Sequence, residues 1–291
     1  MATLYNQVSS NNRKAFFLIF FFLIIVIAIG WLFSYVFEDV TILYMAVIIS
    51  SVMSFVSYYN SDKVVLSMVG AREIEKKDAP ELYRIVENLA ITAGIEMPKV
   101  YILEEGQPNA FATGRDEKHA VVAVTRGLLE VLNKRELEAV VAHEMSHIKS
   151  KDILVASIVV ILVGIVAMLS DIFLRSLYFS NDNDNKNPVM MVLAILGMIL
   201  APLAASLIQL AISRKEEFKA DANAALLTRD PEGLASALIK ISSSKTPLSR
   251  VNNATAHLYI SSPDKGKINW YNRIFMTHPP VEDRVKALRE L

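Results

Sequence analysis

Two uncharged, oily runs, 15–37 and 41–59, are separated only by Glu38, Asp39 and Val40. A helix needs about 20 apolar residues to cross the hydrocarbon core of a bilayer. Each run meets that length, and so short a link makes the pair a hairpin. Two further runs, 153–170 and 188–213, form a second pair around SLYFSNDNDNKNP. Four membrane helices in two hairpins leave only 60–152 and 214–291 as soluble chain, and no other feature limits the fold as strongly. A cleaved signal peptide is the alternative for the first run, since Arg13 and Lys14 precede it. The run is long for a signal core, and no small-residue cleavage pattern follows it. For the second pair the alternative is a buried hairpin inside a soluble core, which would leave two spans.

Basic residues set the orientation. Arg13 and Lys14 precede the first span, and Lys63, Arg72, Lys76 and Lys77 follow the second. Lys149 and Lys151 precede the third, and Arg214 and Lys215 follow the fourth. The hairpin turns carry Glu38, Asp39 and an Asn/Asp-rich loop. Both turns are therefore expected outside, with both termini and the soluble segments in the cytoplasm. With 30 basic and 30 acidic side chains the formal net charge is zero, which gives no global attraction for nucleic acid. The chain has no cysteine, so disulfides, thiolate ligands and cysteine nucleophiles are excluded.

The two soluble segments are together large enough for one ordinary domain. DAPELYRIVENLAITAG reads as a helix with Asp78 as cap and Gly94 at its end. KVYIL and HAVVAVT read as strands. Asn133 and Glu136 have the spacing of a capping box, starting a helix at Lys134. Beyond the second hairpin, RKEEFKADANAALLT reads as a helix. DPEGLASALIKIS follows, with Asp230 as cap and Pro231 at the first helical position. A polar, turn-rich excursion comes next, and PPVEDRVKALREL ends the chain as a short helix.

The chemistry lies in HEMSH. Residues four apart share a helix face, so His143 and His147 can reach one cation. Glu144, one step round, stands beside the ion's open position, where a carboxylate can take a proton from water. Zinc suits neutral imidazoles and lowers the pKa of water it binds to about 7. Uncharged residues 139–142 supply the apolar wall such a helix needs. The bland alternative is two surface histidines beside an acid. A catalytic zinc requires a third protein ligand. The remaining histidines are His119, His257 and His278, and EEFKAD offers Glu216, Glu217 and Asp221. Glu217 and Asp221 are four apart, so one can bind metal while the other braces the site. An ordinary solvated helix explains these acids equally well.

HEMSH before a hydrophobic hairpin, SRKEEFKAD after it, NAFATG at 109–114 and HPPVEDR at 278–284 resemble the HtpX-type integral-membrane zinc metalloproteases, relatives of the CaaX prenyl proteases. The resemblance runs over essentially the whole chain. It implies an α-helical membrane protein carrying an α+β, zincin-like catalytic domain. Its parts would be a membrane hairpin (1–59), a first catalytic part (60–152), a second hairpin (153–213) and a second catalytic part (214–291). It implies one Zn2+ held by His143, His147 and Glu217, with Asp221 behind them. One departure stands at Glu216, where the family usually has a basic residue.

The same resemblance implies a bacterial inner-membrane endopeptidase with its active site at the cytoplasmic face, acting on damaged or misfolded membrane proteins. In the expected mechanism Glu144 is the general base. Substrate would add as a strand along NAFATG, with Asn109 bonding its backbone and His278 and Arg284 steadying the oxyanion. The residues offer plainer roles as well: Asn109 as a turn residue, His278 at a helix start, and Arg284 paired with Glu282 or Asp283. The rival function is a metal-binding membrane adaptor or holdase without turnover; an intact Glu144 argues against it. A zinc hydrolase of non-peptide bonds is a third reading.

Overall fold

The computed structural model describes residues 4–179, 196, 214–244, 246, 258, 260 and 279–291. Two long helices open the chain, α1 (Leu4–Phe37) and α2 (Val40–Tyr59). Asp39 caps α2 by accepting from the Thr41 amide. These are the two described helices long and apolar enough on their own to cross a membrane. They expose Phe16, Phe17, Trp31, Tyr44, Ile48 and Phe55, an apolar surface that water would not tolerate and lipid does. The helices touch closely at Gly30, where a Cβ would lie 2.2 Å from that of Ala46. On α1, Asn11, Ala15, Leu18 and Phe22 are buried, a stripe at helical spacing that packs inward.

A short α3 (Ser61–Val69), not expected from the sequence, ends at Gly70 in the left-handed region (φ 68°). Then come β1 (Arg72–Glu73), α4 (Pro80–Ala93), β2 (Lys99–Leu103), β3 (Ala110–Thr113) and β4 (Val121–Thr125). The expected cap of α4 is corrected. Ala79 occupies the cap position without a side-chain bond, because the Asp78 carboxylate accepts instead from the Glu75 amide. The sheet runs β1-β2-β4-β3, with β2 and β4 parallel and the other pairs antiparallel. NAFATG therefore supplies an edge strand.

Both faces of the sheet are covered, by different parts of the molecule. Val100, Ile102, Ala110, Ala112, Val122 and Val124 join the core formed with α4 and the later helices. Their alternates Leu103, Phe111 and Ala123 pack with residues of α1, α3 and the start of α7. Alternation along a strand sends neighbours to opposite faces, so the sheet is wedged between the soluble core and the base of the membrane helices.

After α5 (Arg126–Val131), α6 (Lys134–Ser150) begins with the expected capping box: Asn133 and Glu136 each accept from the other's amide. Lys151, at φ 60°, ends it, and α7 (Asp152–Phe179) leaves at 87°. The third expected span coincides with α7, but its first two turns are enclosed by protein. The fourth, 188–213, lies outside the described residues except for buried Leu196. Among the described residues three further helices follow: α8 (Arg214–Thr228), α9 (Pro231–Ser243), capped by Asp230 with Pro231 in its first turn, and α10 (Val281–Arg289). Ala224, Leu234, Leu238 and Val285 enter the same core as Ile85, Val140 and Met145. Chain from both sides of the second apolar pair thus builds one hydrophobic core.

Candidate metal centre

α6 carries HEMSH on a buried helix. Residues 139–142 are fully inaccessible, packed on the sheet and the neighbouring helices. The imidazoles of His143 and His147 stand nearly perpendicular (82°), with their Nε2 atoms 3.1 Å apart. α8 crosses α6 and brings Glu217 to them: Oε1 lies 3.5 Å from His147 Nε2, and Oε2 lies 3.8 Å from His143 Nε2. Among the described residues these three form the group able to hold a metal ion. Ligand atoms at about 2.0–2.1 Å from a tetrahedral zinc stand about 3.4 Å from one another. The observed spacings bracket that value, and two imidazoles with one carboxylate are a donor set zinc accepts, so the residues fit the ion.

The surroundings favour positive charge at this point. Burial disfavours a charged His147, but its bond to Asp152 and the carboxylates of Glu217 and Glu144 outweigh burial and lift it to about 9. Such a field attracts any cation, proton or metal alike. Glu144 is itself buried, 4% exposed, next to His143 on the helix. The side chains of His143 and Glu217 are 1% and 7% exposed and that of His147 is 15% exposed, so the cluster opens to solvent on the His147 side.

Asp221, one turn beyond Glu217 on α8, puts Oδ1 3.0 Å from His143 Nδ1, although off the line of a hydrogen bond. Arg284 from α10 is wholly buried and grips Asp221 with both arms, Nε to Oδ2 at 2.8 Å and Nη2 to Oδ1 at 2.7 Å. Its Nη1 donates to the Ile260 carbonyl and lies 3.6 Å from Glu217 Oε2. Burial opposes both charges, yet the pairing prevails. It holds Asp221 down at about 2 and raises Arg284 above its ordinary value. The partners of Arg284 are thus the acids of α8, not the Glu282 or Asp283 offered by sequence proximity. Glu216 points elsewhere, to Lys219 at 2.9 Å and to Gln7 at 2.6 Å.

Asn109 precedes the edge strand and is fully buried. Its Oδ1 accepts from the Ala110 amide, while its Nδ2 has no hydrogen-bond partner. His278 lies outside the described residues. One residue absent from the sequence reading belongs to the site: Asp152, which accepts from His147 Nδ1 at 3.1 Å. Its signal was weak, a lone acid opening an apolar run.

Residues 76–291 match the family described as peptidase family M48. The chain belongs to that family. A Caldanaerobacter subterraneus subsp. tengcongensis protein named "Protease HtpX homolog" is 42% identical over 298 residues, covering 99% of this chain and 98% of its own length. A Dictyoglomus thermophilum protein of the same name is 47% identical over 239 residues, covering 81% of this chain and 78% of its own. The crystal structure of S. mikatae Ste24p is similar in fold: its TM-score is 0.52 at 20% identity, covering 89% of this chain and 61% of that one. With its apolar N-terminal helices, this M48 chain is a membrane metalloprotease.

Proposed function

We propose that the protein is a zinc-dependent endopeptidase embedded in the bacterial cytoplasmic membrane by four helices, cutting damaged or misfolded membrane proteins at the cytoplasmic face. The observation that carries this reading is the convergence of His143, His147 and Glu217 beside Glu144, next to the polar end of α1. Basic flanks of the four apolar runs support the orientation. A zinc ion bound there supplies Lewis acidity and makes water acidic enough to ionise near neutral pH.

The chain supplies everything else. Glu144 takes the proton from the attacking water and returns it to the leaving amine. Its burial keeps that carboxylate out of bulk solvent, in reach of the cluster. Asp221 backs His143, and the Arg284 fork offsets the charge of Asp221 and Glu217. That role fits Arg284 better than the oxyanion, since its donors already face those acids and the Ile260 carbonyl. Substrate adds as a strand along β3 beyond Ala110, whose amide and carbonyl are already bonded to Asn109 Oδ1 and the Ile260 amide; main-chain bonding of this kind reads backbone and not sequence. Asn109, whose buried Nδ2 has no hydrogen-bond partner, is the side chain we assign to bond the substrate backbone there. Position at the membrane surface then selects polypeptides leaving the bilayer.

The test is casein cleavage and zinc content of the purified protein, with and without chelator, beside Glu144→Gln. Cleavage lost with zinc retained in that variant supports the reading. A wild type that binds zinc and cuts nothing points to the adaptor or holdase. Zinc lost from Glu144→Gln would make Glu144 a ligand.

A further inference from the structure

α1 is longer than its apolar run. Its first turns are polar, and Gln7 and Asn11, four residues apart, share one face. Asn11 is 3% exposed. Its Nδ2 donates to the Ser150 carbonyl at 3.0 Å and to Asp152 Oδ1 at 2.6 Å. The other oxygen of Asp152, Oδ2, accepts from Ser150 Oγ at 2.6 Å and from His147 Nδ1 at 3.1 Å. His147 Nε2 faces His143 and Glu217. A continuous line of polar contacts runs from a membrane helix to the metal-facing nitrogen.

We propose that Asp152 is a positioning residue for His147, and that Asn11 of α1 holds Asp152 in place, so the first membrane helix helps to set the metal site. The inference rests on the reading of His147 as a ligand. In a straight helix a residue five positions on lies about 140° round the axis, facing away from His147. The left-handed turn at Lys151 breaks the helix so that Asp152, opening α7, doubles back on it. A carboxylate on Nδ1 keeps the proton there, presents the Nε2 lone pair to the ion and fixes the ring plane. Asp221 stands in the corresponding place beside His143. Left alone, Asp152 could rotate toward water; the buried amide of Asn11 pins one oxygen and leaves the other for the histidine.

The test uses the full-length protein in detergent, with zinc affinity from chelator competition and the visible spectrum of the cobalt-substituted form. Asp152→Ala is expected to weaken zinc binding 10–100-fold and to change the cobalt spectrum. Asn11→Ala is expected to weaken binding severalfold in the wild-type background and to add nothing to Asp152→Ala, because it acts through that carboxylate. Should Asp152→Ala fail to fold, Asp152→Asn keeps the shape and is expected to show the same spectral change with weaker binding. Wild-type zinc affinity in a folded Asp152 variant, beside a His147→Ala control that loses zinc, overturns the proposal. So does an Asn11→Ala effect of equal size in both backgrounds. Zinc retained by His147→Ala would sink the ligand assignment itself, and the inference with it.

Discussion

Glu216 and Glu217 are neighbours in the chain, yet one full helical step of about 100° separates their directions. Glu217 meets the two histidines, while Glu216 is held by Lys219 and Gln7. Glu217→Ala is expected to lose zinc and activity together, and Glu216→Ala to keep its zinc; metal stoichiometry of the purified variants checks this. Spacing already set Glu217 apart, since Asp221 lies one turn along its own face, and the family resemblance implied it as the ligand. What spacing left open was an ordinary solvated helix, because only a partner helix brings the acid to the histidines. Glu136 is a different kind of residue. It closes the capping box of α6 and also accepts from Ser236 Oγ at 2.6 Å and Lys240 Nζ at 2.7 Å on α9. Burial would raise its pKa, but these donors lower it below the ordinary value. Its stabilisation is therefore complete above about pH 4.3, where a free glutamate titrates, and is lost as pH falls through the lower folded value. Glu136→Ala is expected to cost about 2–4 kcal/mol, read by denaturant melts at neutral pH. The difference from wild type should shrink as acid protonates the wild-type side chain. Asn133 and Glu136 were legible as a box from spacing alone; the second use of Glu136, joining α6 to α9, was not.

Among the elements, α6, α8 and α9 were legible because their caps and periodicities are local. α3 was missed, being short and lying directly after an apolar run. Asp78 was misassigned because an acid before a helix can cap it or close the preceding turn, and the turn won. β2 and β4 were read as strands and NAFATG as an edge, but β1, only two residues long, was not; nor was it legible that both faces of the sheet are covered, since a buried face is defined by what packs on it. The junction of α6 and α7 is the element feature with most consequence. Lys151 sits at φ 60°, which disfavours a side chain by about 1–2 kcal/mol. Lys151→Gly is expected to leave activity unchanged and stability equal or up to about 1 kcal/mol higher, the relief being partly offset by unfolded-state entropy. Lys151→Pro cannot reach that φ, and should lose zinc binding as the bend straightens. Equal zinc content in both variants would separate the bend from the metal site. In the first hairpin, Gly30→Leu is expected to part α1 from α2 and lower the melting temperature, because the Ala46 contact has no room for a side chain.

At the scale of the molecule, the soluble core closes only when chain before α7 meets chain from α8 onward. That arrangement needs both parts on one side of the membrane. Reporter fusions at residues 100 and 230 are expected to read cytoplasmic, and one within 181–187 external; an external reading at 230 would rule out a centre that uses His143 and Glu217 together. By itself the sequence determined the apolar hairpin, the helical spacing of His143 and His147, and the carboxylate beside them. Those properties depend on residue type and on separations of a few positions. Tertiary structure brought Glu217 to the histidines, and it decided that Arg284 grips Asp221 from 63 residues away and that Asn11 reaches Asp152 across 141. No local rule links residues so far apart. Their pairing follows from helices and a sheet packing to bury apolar faces, which brings these buried polar groups within reach of one another.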